Sequence, residues 1–295
     1  MYDIKALYEA QNVPHAVRLL QEHPEAQIIA GGSDVLIQIR EGKRAGAELV
    51  SIYGLDELRG VQLTEDGTIR IGSLTSFTHI TNDPVIQKYI NVLGEAVDLV
   101  GGPQIRNIGT IGGNTCNGVT SADSASTLFA YDALIEIEGP EGRRIIPIKD
   151  FYIRAGKVDL KEAELQVSIQ IPKKSYENYS GHYIKYAMRN AMDIATLGCS
   201  VNVKLSEDKK KFEDIRIAYG VAGPVPIRAL HAEEEGRGMA VCQNTIDRTA
   251  ETVLKDITPR DSWRASKAFR EHISQVLCKR ALTEAVRRAG GVLDE

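Results

Sequence analysis

AGGSDV, residues 30–35, decides how the N-terminal part of the chain is read. It follows the apolar pair Ile28-Ile29 and leads into LIQIR. Two glycines and a hydroxyl at the end of a strand predict a loop whose backbone comes close to a partner, because glycine puts no Cβ in the way. The spacing is not GxGxxG, and the lysine of a phosphate-binding P-loop is missing, so neither common nucleotide fingerprint applies.

A second loop of the same kind, NIGTIGGNTCNG at 107–118, precedes VTSADSA and pairs Gly112-Gly113 with the small polar Asn114. Backbone N–H groups that converge on one concavity form an anion nest. A helix beginning at Asp34, capped by Ser33 or Asp34, would add its partial positive charge. Two such loops predict a diphosphate gripped from both sides, and hence a nucleotide cofactor. On the pattern alone, the reading of each Gly-Gly as a plain tight turn stays open.

Around these loops the periodicities alternate. PHAVRLLQE (14–22) is spaced as a helix with Asn12 as its cap, Gln27–Ala30 and Glu48–Ile52 as strands. TIRIGS (68–73) alternates like a strand, Thr75–Ile80 is helical, and 84–100 is one longer helix stopped by Gly101-Gly102-Pro103. Residues 133–138 and RRIIPI form a hairpin around EGPEG, and LQVSIQIP (165–172) is a strand. After a polar linker at 173–180 come three β patterns (182–189, 195–205, 215–223), then helices (RALHAEEEG, 244–257 and 265–289). Strands followed by helices in a block predict an α+β domain.

The 295 residues, 43% hydrophobic, suffice for two or three domains with real cores. The formal net charge of −4, with Lys and Arg spread along the chain, argues against a nucleic-acid surface. No apolar run is long enough for a membrane span, and MYDIKALYEAQ lacks a signal-peptide layout; cytoplasm is the simplest location. Cys116, Cys199, Cys242 and Cys278 show no CxxC spacing, and the six histidines show no HxxxH, so no metal site is expected.

IIAGGSDVL, GGPQIRNIGTIGGNTCNGVTSADSA and KYAMRNAMDIA together resemble the FAD-binding medium subunit of the molybdenum hydroxylases, with the flavin subunits of bacterial xanthine dehydrogenases nearest in likeness. The likeness runs over essentially the whole chain. TIGGN with a downstream Asp is its more specific element, and SWRASKAFR (262–270) strengthens the xanthine dehydrogenase side. The resemblance implies two α/β subdomains, 1–55 and 56–176, clasping FAD. A C-terminal α+β domain, 177–295, of about three antiparallel strands and helices would cover the flavin and meet partner subunits.

The resemblance also places the cofactor on residues. The loop Gln27, Ile28, Ile29, Ala30, Gly31, Gly32, Ser33, Asp34 would wrap the pyrophosphate, chiefly through the N–H groups of Gly31, Gly32 and Ser33. Thr110, Ile111, Gly112, Gly113 and Asn114 would lie against the diphosphate and ribityl chain. Asp123 matches an acid that contacts FAD, Lys185 a lysine near the flavin, and Val100 an apolar contact. Gln166 falls where the family usually has an aliphatic residue touching the cofactor, and departs from it in polarity.

Several of these residues have plainer readings. Asp123 also reads as a helix N-cap, and Lys185 as a solvated strand residue. Cys116 reads as a packing residue rather than a redox thiol, and Met188 and Met192 as gap fillers. Asp193 either accepts a hydrogen bond from the flavin edge or ends the strand; Trp263 either anchors an interface or packs the last helix.

No catalytic side chain is expected, since a flavin supplies the chemistry and the protein position and access. The implied function is electron transfer through FAD to NAD. The molybdenum cofactor and [2Fe–2S] clusters would sit on partner subunits of a hetero-oligomer, with no nucleic acid and no membrane involved. The alternatives are the equivalent subunit of a carbon monoxide, nicotinate or aldehyde dehydrogenase, or a non-redox nucleotide-binding or scaffold subunit.

Overall fold

A computed structural model describes residues 2–293. The chain opens with β1 (Ile4–Glu9), α1 (Val13–Glu22), β2 (Gln27–Ile29), α2 (Val35–Arg40) and β3 (Ala47–Ser51). The three strands pair in parallel in the order β1-β3-β2. α1 forms where the spacing put it: Asn12 accepts from the His15 N–H, Pro14 sits in the first turn, and Val13, Ala16, Val17, Leu19 and Leu20 are buried.

The next stretch supplies β4 (Val61–Leu63), β5 (Ile69–Gly72), α3 (Phe77–Asn82), α4 (Pro84–Tyr89), α5 (Asn91–Asp98), α6 (Pro103–Ile108), α7 (Ile111–Cys116) and α8 (Asp123–Ala130). It continues through β6 (Leu134–Gly139), β7 (Gly142–Pro147), α9 (Ile148–Phe151), the small β8 (Tyr152–Arg154) and β9 (Lys157–Val158) pair, and β10 (Leu165–Ile171). Its five-stranded sheet, β4-β5-β10-β6-β7, is antiparallel throughout.

Two readings change here. The single helix expected over 84–100 breaks at Ile90, whose backbone leaves the helical region. Ile90, Val92 and Leu93 are all fully buried. The break redirects the chain between α4 and α5. The stretch 107–118, read as loop, instead holds the end of the short helix α6 and the whole of α7; the second is capped by the Thr110 hydroxyl accepting from the Gly113 N–H.

The last part holds β11 (Ser180–Tyr186), β12 (Leu197–Leu205), β13 (Phe212–Gly220), β14 (Ile227–Arg228), α10 (Leu230–Gly236), α11 (Gln243–Thr252) and α12 (Lys267–Arg288). Four strands rather than three pair antiparallel in sequence order. α12, capped by Ser266, lies along β11 and β12. The buried helix α8, with every residue enclosed, packs on both α5 and the strands β12 and β13. It joins the second core to the third sheet, as Tyr183 and Ala218 in the second core attest. Among the described residues, no helix is long and apolar enough to cross a membrane.

Candidate functional site

The loop after β2, the α6–α7 segment, β10 and the 192–194 turn enclose a cleft of about 800 Å³. That lies in the upper part of the range for ligand pockets. All of the candidate residues line it except Ile29, Ile111 and Lys185.

The two glycine loops differ in what they offer. Among the described residues, no protein acceptor takes the N–H groups of Gly31, Gly32, Ser33 or Asp34. Four consecutive unclaimed donors on a cleft wall make the anion nest expected of AGGSDV. In the second loop four donors are spent, Ile111 N–H on the Thr75 carbonyl, Gly112 on Ser73, Gly113 on the Thr110 hydroxyl and Asn114 on the Thr110 carbonyl, while the Thr110 N–H meets no acceptor among the described residues. Most of the open backbone N–H groups therefore lie on the first loop, with Thr110 adding one from the second. The second loop also contributes side chains, with Asn114 Oδ1 accepting from Ser124 at 2.6 Å and its amide nitrogen without an acceptor among the described residues.

Glycine also serves a second purpose beyond the one expected. A Cβ on Gly31 would lie 1.8 Å from the Ile108 carbonyl oxygen, and one on Gly112 2.5 Å from Ser73 Cβ. These glycines let the chain pack against itself, and that packing shapes the cleft. Asp34 does not cap α2 with its side chain; its carboxylate accepts from the Asn117 amide and ties the two loops together. With six residues, α2 is also too short to add much dipole.

Asp123 is not a helix cap. It is the first residue of α8, and its carboxylate reaches across to β11. Oδ1 accepts from the Tyr183 hydroxyl at 2.8 Å and Oδ2 from Lys185 Nζ at 2.8 Å. Burial raises the Asp123 carboxyl above its ordinary value, against the pull of Lys185 and Tyr183. Lys185 is not solvated: its side chain is 9% exposed, and Nζ also donates to the Leu99 carbonyl. It holds Asp123, which lines the cleft, in place.

Gln166 sits beside a β-bulge in β10, the kind of irregularity that re-aims a side chain. Its Oε1 accepts from Thr115 Oγ1 at 2.7 Å and Cys116 Sγ at 3.2 Å. Its Nε2 is buried with no partner among the described residues. An unpaired buried donor on a cleft wall is costly unless a ligand supplies the acceptor. Burial pushes the Cys116 thiol up to about 12, so it stays protonated, as befits a packing residue.

At the other end of the cleft, Met188 and Met192 are exposed rather than filling gaps, and Met192 lines the opening. Asp193 accepts from the N–H groups of Arg189 and Ile194 and so closes the turn on itself. Trp263 is 77% exposed, with the Arg264 guanidinium over its ring. Arg44 and Gln38, which also line the cleft, carried no signal in the sequence because they belong to no motif. Among the described residues, no cluster of His, Cys, Asp or Glu could hold a metal ion.

A cleft with an unclaimed row of N–H groups, an orphaned amide and glycine-dependent walls is a nucleotide-cofactor site. Residues 2–174 match the FAD binding domain in molybdopterin dehydrogenase, and residues 182–285 the CO dehydrogenase flavoprotein C-terminal domain. The chain belongs to the FAD-binding subunits of the molybdenum hydroxylases. Within that family it is of the xanthine dehydrogenase type. It is 44% identical over 293 residues to the putative xanthine dehydrogenase FAD-binding subunit XdhB of Escherichia coli strain K12, covering 99% of this chain and 100% of that one.

The carbon monoxide dehydrogenase medium chain of Hydrogenophaga pseudoflava is 29% identical over 276 residues, 93% of this chain and 94% of that one. The solved carbon monoxide dehydrogenase from the same organism superposes with a TM-score of 0.91 at 28% identity, over 98% of this chain and 99% of that one. The chain is thus part of an oxidoreductase and carries its FAD-binding fold.

Proposed function

We propose that the cleft holds one FAD, through which electrons from a partner subunit reach NAD. The observation that carries this reading is the row of four unclaimed N–H groups at Gly31–Asp34 on the wall of an 800 Å³ cleft. When bound, FAD supplies the redox chemistry, linking one-electron donors to a two-electron acceptor. The residues of the chain bind and orient it. The Gly31–Asp34 donors receive the diphosphate, where charge-assisted bonds are strongest. The Asn114 amide and the Gln166 Nε2 meet neutral acceptors of the cofactor. Lys185 and Tyr183 hold Asp123 in one position on the wall. The apolar end at Val100, Ile105 and Met192 suits the isoalloxazine ring and leaves it open to a second reactant.

The donors, in this reading, are [2Fe–2S] clusters on one partner subunit, fed by a molybdenum cofactor on another, in a cytoplasmic complex. A purine substrate fits the 44% identity to a xanthine dehydrogenase subunit better than the 29% to a carbon monoxide dehydrogenase chain. The test is the visible spectrum of the purified complex under anaerobic conditions. Flavin bands that bleach with NADH are expected. Bands that bleach only with dithionite would rule out NAD as the acceptor, and a chain that takes up no FAD would overturn the reading.

Gln166→Leu separates a cofactor contact from a structural one. The substitution removes the orphaned donor and also the acceptor of Thr115 and Cys116; Thr115 keeps the Ile111 and Gly112 carbonyls, so the cofactor-free chain should change by no more than about 1 kcal/mol. FAD affinity should fall by about fivefold, the equivalent of one neutral hydrogen bond. Unfolding curves with and without FAD, and a direct titration, check that the larger loss appears only with the cofactor.

A further inference from the structure

The two ends of the cleft differ in chemistry. Met192 Sδ would lie 3.5 Å from a Cβ on Gly102, next to α6; the other end of α6, at Ile108, packs on Gly31. Beyond Gly31, β2 leads back to Gln27, where Arg44 and Gln38 complete the wall. So α6 stands between the apolar Met192 end and the Gly31–Asp34 donors, while the polar Arg44 group lies on the β2 side of the cleft.

Arg44 follows α2 in the turn that returns the chain to β3. Its guanidinium is held twice: Nε donates to Gln38 Oε1 at 2.6 Å, and Nη1 to Gln27 Oε1 at 2.7 Å. Both acceptors are neutral amides, and Arg44 forms no ion pair among the described residues. The group is therefore oriented without being neutralised. Of the five N–H bonds of a guanidinium, three remain unclaimed, in a plane fixed by the two amides. Such a fork suits an anionic oxygen or the ring nitrogens and face of a purine.

We infer that Arg44 anchors the adenosine-monophosphate half of FAD, with Gln27 and Gln38 holding its guanidinium plane. This rests on the reading of the cleft as the FAD site and adds which half lies where. The diphosphate occupies the Gly31–Asp34 donors, the isoalloxazine takes the apolar end, and the adenosine half is left to the polar end. Arg44 acts by binding and placing the cofactor and takes no part in the electron transfer.

The test uses the full chain in its complex, stripped of flavin, as wild type, Arg44→Ala and Arg44→Lys. FAD is titrated directly, ADP is used as a competitor for the FAD site, and riboflavin as a probe of the flavin end alone. Arg44→Ala should weaken FAD and ADP by the same factor, about tenfold for a lost charged hydrogen-bond donor. Riboflavin binding and the melting temperature of the stripped protein should not move. Arg44→Lys keeps the charge but loses the fork and should fall between the two. Higher salt should narrow the gap.

Unchanged FAD affinity in Arg44→Ala overturns the assignment. So does weaker FAD binding with unchanged ADP competition, which would put Arg44 at the flavin end. Equal losses of FAD and riboflavin with a lowered melting temperature would make Arg44 a purely structural tie, and also overturn it. A wild-type complex that takes up no FAD overturns the site reading itself, an outcome distinct from these.

Discussion

Replacing Gly31 by alanine is expected to cost the protein its FAD and much of its stability. The new Cβ would fall 1.8 Å from the Ile108 carbonyl oxygen and 2.7 Å from its carbon. Those are backbone atoms at the end of α6 and cannot swing aside like a side chain. Either the 30–34 loop or the α6–α7 segment must move, and both line the cleft. Overpacking of this kind costs about 3 kcal/mol, and the displaced loop carries the donors assigned to the diphosphate. Gly54→Ala is the control, since a Cβ there meets nothing within 4 Å and the backbone is not left-handed. Thermal unfolding and FAD retained per chain should separate the two variants. Gly31→Ala protein that melts and binds FAD like wild type would contradict the close packing of the two loops.

The second large effect is expected at Lys185. Lys185→Met leaves the Asp123 carboxylate with Tyr183 alone in a site where it is 6% exposed. Breaking a buried ion pair from one side costs about 3 kcal/mol or more. The pH dependence gives the cause away. Burial already raises the folded Asp123 carboxyl above its unfolded value, and Lys185 restrains the rise.

A raised acid binds more protons folded than unfolded, so its contribution is largest at low pH. The contribution falls as pH rises from the unfolded value through the folded one. Without Lys185 the folded value climbs further and the window of loss extends upward. The variant should therefore lose more stability at pH 8 than at pH 5, relative to wild type. Lys185→Met combined with Asp123→Asn should recover most of the loss at pH 8. If the double variant is no more stable than the single one, the uncompensated charge is not the cause.

Local patterns were legible wherever one face of an element is buried. The helix at 13–22 and its Asn12 cap, the long helix at 267–288, and the strands at 165–171, 197–205 and 212–220 all follow from spacing. The strands that escaped were β1, β4, β8, β9 and β14. β1 carries its side chains largely exposed, and the other four are two or three residues long. Their partners, not their own residues, hold them in a sheet.

The candidate site was legible in part for the same reason. AGGSDV announces a loop with accessible backbone, and the four open N–H groups match that reading. TIGGN looked equivalent, but whether an N–H is free depends on what lies opposite it. Ser73 and Thr75 claim two of the second loop's donors from more than thirty residues away. Arg44 left no trace, because its two glutamine partners fix it only once α2 and β2 lie side by side.

By itself, then, the sequence determined the elements, the glycine loops and, through likeness, the family, since propensity and periodicity act over a few residues and survive without a fold. The tertiary structure alone decided which donors remain open, which glycines are needed for close approach, that Lys185 pairs with Asp123, and that Gln166 and Arg44 keep unclaimed N–H groups. Each of these is settled by atoms brought together from distant parts of the chain, where a hydrogen bond made on one side is a donor lost to the other.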